Sequence, residues 1–253
     1  MVIIYRISDA GYAKVKPRYI NNKNCLKNAF RHFDPDKGDH KWIIIADNVS
    51  AKTEKMIKDI VAQSAIYHSA SIGNGAGTFN IALDYALDFP EDEIVYFLEN
   101  DYLHKDGASS ALLEGINLNV DYVSLYDHPD KYMAGFNPYV EGGSEETRVM
   151  LSKSCHWKIT NSTTMTFAST VKTLKEDQQI LREFTNGTHP FDFDMFLTLK
   201  NKGRKLITPL PSYSTHGETL FLAPLVDWEI QSFELSESRL GNLARSWVRK
   251  LGF

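Results

Sequence analysis

The apolar run Tyr96–Phe97–Leu98 is followed without a break by Glu99, Asn100 and Asp101. Burying ionised carboxylates without partners is costly, so a neighbouring cation, a metal ion or water must neutralise this strand tip. Similar polar groups close other apolar runs: Arg6, Ser8 and Asp9 after "VIIYRIS", and Asp47 and Asn48 after "WIIIADN". Gly73, Gly75 and Gly77 lie between the third such run, "AIYHSAS", and a helical pattern that includes Asn80. Asp192 opens another helical pattern, and His216 follows the last apolar run. Together the strand-end groups and the glycines outline one cleft.

The elements that would position these groups alternate. Short apolar runs are separated by stretches such as "KTEKMIKDIVAQSA", where Met56, Ile57, Ile60 and Val61 share one helical face. In "GTFNIALDYALDF" the same spacing joins Phe79, Ala82, Leu83, Ala86 and Leu87. Strands alternating with helices predict an α/β fold with a mostly parallel, doubly wound sheet. In such sheets ligands bind beyond the carboxyl ends of the strands. "DYVSLYD" predicts a fifth strand, "HWKITNSTTMTFAS" an antiparallel edge or hairpin, and "KLITPLPSYS" a last strand. "DFDMFLTLKNKG" reads as a helix stopped by Gly203.

The 253 residues suit one large domain, and 43% hydrophobic content supplies a core. A net charge of -4 argues against nucleic acid as a partner. Two cysteines, Cys25 and Cys155, give no disulfide framework. The short apolar start lacks the features of a secretion signal, and no stretch approaches the roughly 20 apolar residues of a membrane span. A cytoplasmic protein is expected, with the sequons at Asn48, Asn161 and Asn186 coincidental. Residues 236–253 form a separate basic amphipathic pattern. There Leu240, Leu243, Ala244, Trp247, Val248 and Leu251 recur at helical spacing beside Arg239, Arg245, Arg249 and Lys250. The stretch 239–253 suits peripheral contact with an anionic membrane surface, or packing on its own domain or a partner.

Four segments resemble, in order, those of the inverting GT-A glycosyltransferases of family 2. "WIIIADNVSAKT" is similar to the family's hydrophobic run followed by D-D-G-S-x-D-x-T, and "IGNGAGTFNIALDYA" to its G-x-x-x-x-x-N-x-G-l-x-x-A. "IVYFLENDYLHKDGA" is similar to F-L-D-x-D-D-x-x-x-P-G-A, and "FDFDMFLTLKNKGRKL" to E-D-x-D-L-x-L-R-L-x-x-x-G-y-k-i. The set spans roughly residues 2 to 216. It departs from the family at Glu99 for the first Asp of D-x-D, at Phe191 before Asp192, and at Asn48–Val49 in the D-D-G-S turn. The Q-x-x-R-W motif of processive polymerases is not seen.

The resemblance implies a GT-A domain over residues 1–235, with a nucleotide-sugar part (1–126) and an acceptor part (127–235). It implies a nucleotide-sugar donor and a glycan or glycolipid acceptor, with Mn²⁺ or Mg²⁺ held by Asp101 and His216. Glu99 would reach the metal through water or bind the donor ribose. Arg6, Ser8, Asp9 and Asp47 would hold base and ribose, Asp47 by accepting from a uracil N–H, which favours UDP. Gly75, Asn80 and Asn100 would lie near the nucleotide. Asp192 would be the general base, a helix N-terminal acid being the plainer reading. Tyr132, Phe136, Asn137, Tyr139 and Glu141 would form an acceptor lid, with His156 and Trp157 at its border. Two alternatives stay open: a decayed nucleotide- or glycan-binding domain, and a sugar-nucleotide nucleotidyltransferase. For the second, "RISDAGYAKVKPRY" has the Lys and Pro but lacks the Gly-rich start.

Overall fold

The computed structural model describes residues 1–10, 14–140 and 144–233. Glu141 and the basic stretch 236–253 lie outside the described residues. Strand β1 (Val2–Ser8) is rich in β-branched residues and buried on both faces, as an interior parallel strand requires. It pairs in parallel with β2 (Lys41–Asp47) and β4 (Ile94–Glu99), and β2 pairs in parallel with β3 (Ala65–Ala70). Register places Ser8 beside Asp47, Asp47 beside Ala70, and Arg6 beside Glu99. The polar tips noted in the sequence therefore share one edge of the sheet.

Residue alternation splits the core in two. Ile3, Tyr5 and Ile7 face α1 (Asn22–His32) and α3 (Ala51–Val61), while Val2 and Ile4 face α4 (Gly75–Leu87). α1 is followed by the one-turn α2 (Pro35–Gly38). Side-chain oxygens cap the helices: Ser50 accepts from Thr53 N at 3.3 Å, and Asn74 accepts from Gly77 N at 2.8 Å.

The second half of the sheet is mixed. β5 (Tyr102–His104) leaves the main sheet, and α5 (Ala108–Ile116) leads to β6 (Tyr122–Val123). β7 (Val149–Leu151), β8 (His156–Thr160) and β9 (Phe167–Thr170) precede α6 (Val171–Glu183) and α7 (Asp192–Asn201). β10 (Leu206–Leu210), β11 (Ser214–His216) and α8 (Trp228–Phe233) close the described chain. The main sheet runs β3-β2-β1-β4-β9-β6-β10-β8-β7, and β11 pairs only with β5.

The α/β expectation holds, with two corrections. "HWKITNSTTMTFAS" is neither an edge nor a hairpin. β8 and β9 do not pair with each other, and β9 runs antiparallel in the middle of the sheet between β4 and β6. Phe167 and Ala168 enter opposite core layers, so this short strand is buried on both faces. The fifth strand is only Tyr122–Val123. Beyond it the Leu125 carbonyl turns to accept from Tyr213 N and Ser214 N, both at 2.9 Å. Gly203 stops α7 as expected, with φ +95.

Candidate active site

At the carboxyl edge each acid meets a different partner. Arg6, buried at 5% exposure, places its guanidinium 3.2 Å from Glu99 Oε1. It also donates to the carbonyls of Gly75 (3.1 Å) and Met165 (3.2 Å) and sits over the Phe79 ring. Arg6 thus ties the start of α4 and the approach to β9 to the tip of β4. Glu99 also accepts from the Thr166 hydroxyl at 3.2 Å. Asp47, 2% exposed, accepts from the backbone N–H of Ile72 (2.6 Å) and Gly73 (2.8 Å), fixing the loop before α4, where Gly73 has φ +77.

Asp9 accepts from Ser50 N and the Thr53 hydroxyl, both at 2.7 Å, binding the end of β1 to the start of α3. Burial works against its ionisation, but these bonds outweigh it and lower its pKa. Asn100 donates to Ser8 O at 3.2 Å and to Asn22 Oδ1 at 2.6 Å. Asn80 is apart from this edge, exchanging hydrogen bonds with Thr185 at the end of α6 (2.9 and 3.2 Å).

Asp101 meets two other side chains, Lys16 and His216. Lys16 Nζ lies 2.8 Å and His216 Nε2 3.3 Å from the same oxygen, Asp101 Oδ2. Burial alone would raise the Asp101 pKa, yet His216 and Lys16 more than offset it and hold the carboxyl well below the usual range. The β5–β11 pairing creates this meeting, because Tyr102 and His216 are register partners. Gly217 permits the close approach: a Cβ there would stand 2.8 Å from the Asp101 carbonyl oxygen.

Asp192 is the first residue of α7 and half-buried, with Oδ1 accepting from Phe193 N at 2.8 Å. Burial first, and then the Glu99 carboxylate, push its pKa up to about 6, against the pull of that N–H. It lines an open cleft of ≈ 280 Å³ with His128, Asp130, Phe136, Ser162, Thr163, Thr164, Phe193 and Phe221. Sequence reasoning reached Asp192 and Phe136 here but missed His128 and Asp130. Their signal was available: "DHPDK" is dense in ionisable groups immediately beyond a strand.

His128 Nδ1 and Asp130 Oδ1 are 2.8 Å apart. Burial opposes ionisation of Asp130, but His128 and Lys131 outweigh it and hold the carboxyl at about 2. Beneath the cleft, Lys131 (1% exposed) bonds Asp130 at 3.0 Å and Ser162 at 2.9 Å. Lys158 (3% exposed) forms ion pairs with Asp127 at 2.9 Å and Glu145 at 3.2 Å and donates to the Tyr132 hydroxyl at 3.0 Å. Asn137 joins this network through Asp130 at 3.0 Å, while Tyr139 stacks on Phe193 at the mouth. Trp157 is a buried core residue, and His156 is exposed. Asn161, one of the sequons, is buried against Asn137.

No protein-family model matches the chain, and no curated protein matches its sequence. Among solved structures, it is similar to GalNAc-T7 with UDP, GalNAc and Mn²⁺: TM-score 0.56, 13% identity, covering 85% of this chain and 43% of that one. The chain has a GT-A-like fold. A protein described as a glucose-1-phosphate thymidylyltransferase from Bacillus anthracis, solved with sucrose, also matches at TM-score 0.53 and 12% identity. That match covers 94% of this chain and 97% of the other. Galactosyltransferase LgtC with donor and acceptor sugar analogs follows at TM-score 0.47 and 11% identity, covering 82% of this chain and 73% of that one. At such identities the likeness is one of fold. Among the described residues no helix is long and apolar enough to cross a membrane.

Within this GT-A-like fold, Asp101 and His216 are the acid and imidazole that lie together beyond the tip of β4. His216 Nε2 lies 3.3 Å from Asp101 Oδ2, and among the described residues no group of three or more His, Cys, Asp or Glu could hold a metal by itself. Glu99 is turned to Arg6 instead. The pair fits Mn²⁺ or Mg²⁺ as cations that take one or two protein ligands and complete their shell with phosphate oxygens and water.

Proposed function

We propose that the protein is an inverting glycosyltransferase that moves a sugar from a nucleoside diphosphate sugar, with UDP favoured, to a hydroxyl of a glycan or glycolipid. The observation that carries this reading is Asp192, a carboxyl poised near about 6 in the wall of the cleft. A general base works best with a pKa near the operating pH. Asp192 takes the acceptor hydroxyl proton while that oxygen attacks the anomeric carbon opposite the departing diphosphate, and a single displacement inverts the centre. His128, Asp130, Thr163 and Thr164 offer the hydrogen bonds that orient sugar hydroxyls, and Phe136 and Phe193 supply apolar faces. Asp101 and His216 would hold Mn²⁺ or Mg²⁺, which when bound stabilises negative charge on the diphosphate. UDP and Mn²⁺ in the GalNAc-T7 structure support this choice of donor class and cation.

The second reading is sugar-nucleotide nucleotidyl transfer, favoured by the nearly complete overlap with the Bacillus anthracis protein. Its nucleophile is a sugar phosphate, already anionic at neutral pH, so a base at Asp192 would have no proton to remove. One experiment separates the two. UDP-glucose, UDP-galactose and their N-acetyl forms are incubated with protein and Mn²⁺, water standing in for the acceptor, and UDP release is followed. Release should fall by about 10²–10⁴-fold in Asp192→Asn with UDP affinity retained. Pyrophosphate released from UTP and a sugar 1-phosphate, without UDP release from the sugar nucleotides, would replace this reading with the second.

A further inference from the structure

Lys16 is where a bound cation would be expected. Its ammonium is 2.8 Å from Asp101 Oδ2, the same oxygen approached by His216 Nε2. The segment carrying it is strapped down on the His216 side of the cleft. Thr219 donates to the Val15 carbonyl through both its N–H and its hydroxyl at 2.9 Å, and Lys14 pairs with Glu218 at 3.4 Å. Behind the strap, a Cβ on Gly217 would come within 2.4 Å of Ile20 Cγ2, so the two segments are in intimate contact. The ammonium is thus delivered by fixed backbone, not by a loose surface side chain. Its side chain remains 30% exposed, open to an incoming ligand. An ammonium has three protons, and one hydrogen bond to Asp101 leaves two for phosphate oxygens.

We infer that Lys16 is a built-in counter-cation for the donor's diphosphate: it neutralises Asp101 in the free protein and bonds the diphosphate in the complex. Nucleoside diphosphate binding then persists without a divalent metal. The inference rests on the proposed donor class and adds a residue that the D-x-D resemblance does not contain. Two features favour it. Arg6 is 5% exposed and its two terminal nitrogens meet Glu99 and two carbonyls, which leaves it less open to phosphate than Lys16. The Asp101 oxygen that a metal would use already carries a cation of the protein's own, the Lys16 ammonium at 2.8 Å, with His216 Nε2 at 3.3 Å beside it. A divalent ion entering the site competes with Lys16 for one oxygen, so metal and lysine are alternative neutralisers.

The test is calorimetric titration of the full chain with UDP, once in EDTA and once with Mn²⁺. Wild type should bind in both. Lys16→Met should weaken binding in EDTA by about tenfold or more, as expected for loss of a charge-assisted hydrogen bond. Lys16→Arg should restore most of it, and Mn²⁺ should rescue Lys16→Met. Binding by wild type only with Mn²⁺ overturns the inference and leaves the donor assignment standing. So does metal-free binding that Lys16→Met does not change. No UDP binding under either condition overturns both. The wild-type comparison of EDTA with Mn²⁺ needs no variant, so a folding defect in Lys16→Met leaves the inference testable.

Discussion

Asp192→Asn should make the protein more stable above neutral pH while removing its base. The carboxyl pKa rises from the ordinary 3.8 to about 6 in the fold, chiefly through burial and the Glu99 charge. A carboxyl raised in this way contributes stability fully present below about pH 4, because the folded state holds the proton more tightly. That contribution disappears as pH rises through about 6, and above it the fold carries the full cost of an ionised, half-buried acid. A gap of about two pKa units corresponds to roughly 3 kcal/mol at about 1.4 kcal/mol each. Solvent access and the N-terminal dipole of α7, which favours an anion by about 0.3–1 kcal/mol, reduce the expected net to about 1–2 kcal/mol. Asn keeps an oxygen for the Phe193 N–H. Urea midpoints at constant m should therefore favour Asp192→Asn near pH 8 and nearly coincide with wild type near pH 4. Lower stability of Asp192→Asn near pH 8, or an equal gain at both pH values, would falsify the claim that burial strains this acid.

Two further substitutions probe the frame around the site. Lys158→Met takes from Asp127 and Glu145 the cation that pairs with both, and urea unfolding should show a loss of about 3–5 kcal/mol. Adding Asp127→Asn should recover part of it; a loss under about 1 kcal/mol would mean that the network is effectively solvated. Asp47→Ala orphans the N–H groups of Ile72 and Gly73, each costing about 1–3 kcal/mol when left unpaired. Hydrogen exchange should then lose protection in the loop at the start of α4 while the centre of β1 keeps its own, and unchanged exchange there would contradict Asp47's hold on that loop.

The parallel half of the sheet was legible because β1, β2 and β4 bury both faces. Continuous apolar runs ending in polar residues are what such strands require. Asp192 was legible for a related reason: its position follows from helix periodicity and motif order. The antiparallel β9 was not legible, since four residues of Phe-Ala-Ser-Thr carry no register signal until β4 and β6 flank them. Lys16 was hidden altogether. It is 85 residues from Asp101, and contacts of its segment with the chain after β11, such as Val15 with Thr219, bring the pair together. Arg6 and Asp47 illustrate the converse. Their types and positions at strand ends suited ligand binding, yet in the fold the terminal nitrogens of Arg6 and the carboxylate of Asp47 meet backbone groups and Glu99. A polar residue at a strand tip marks the right edge of the sheet without revealing whether it faces ligand or loop.

The two acids of the β4 tip divide the electrostatics of the cleft. Asp101 meets Lys16 and His216 on the phosphate side, while Glu99 is held by Arg6 and acts through space on Asp192. Arg6 neutralises Glu99 only partly, because it is the residual negative potential that helps to raise the Asp192 carboxyl. Glu99→Gln keeps the length of the side chain and a partner for Thr166, but removes that charge and leaves Arg6 unopposed. Both changes lower the Asp192 pKa, so the rising limb of kcat/KM against pH should move down from about 6. Turnover above neutrality should fall with it, because a base of lower pKa drives proton abstraction less strongly. UDP affinity should change little, since Glu99 is turned away from Asp101 and His216. A limb that stays near about 6 in Glu99→Gln would show that burial alone tunes the base. A limb that moves upward would contradict both charge effects, and the assignment of Glu99 as the tuning charge of Asp192 would have to be abandoned.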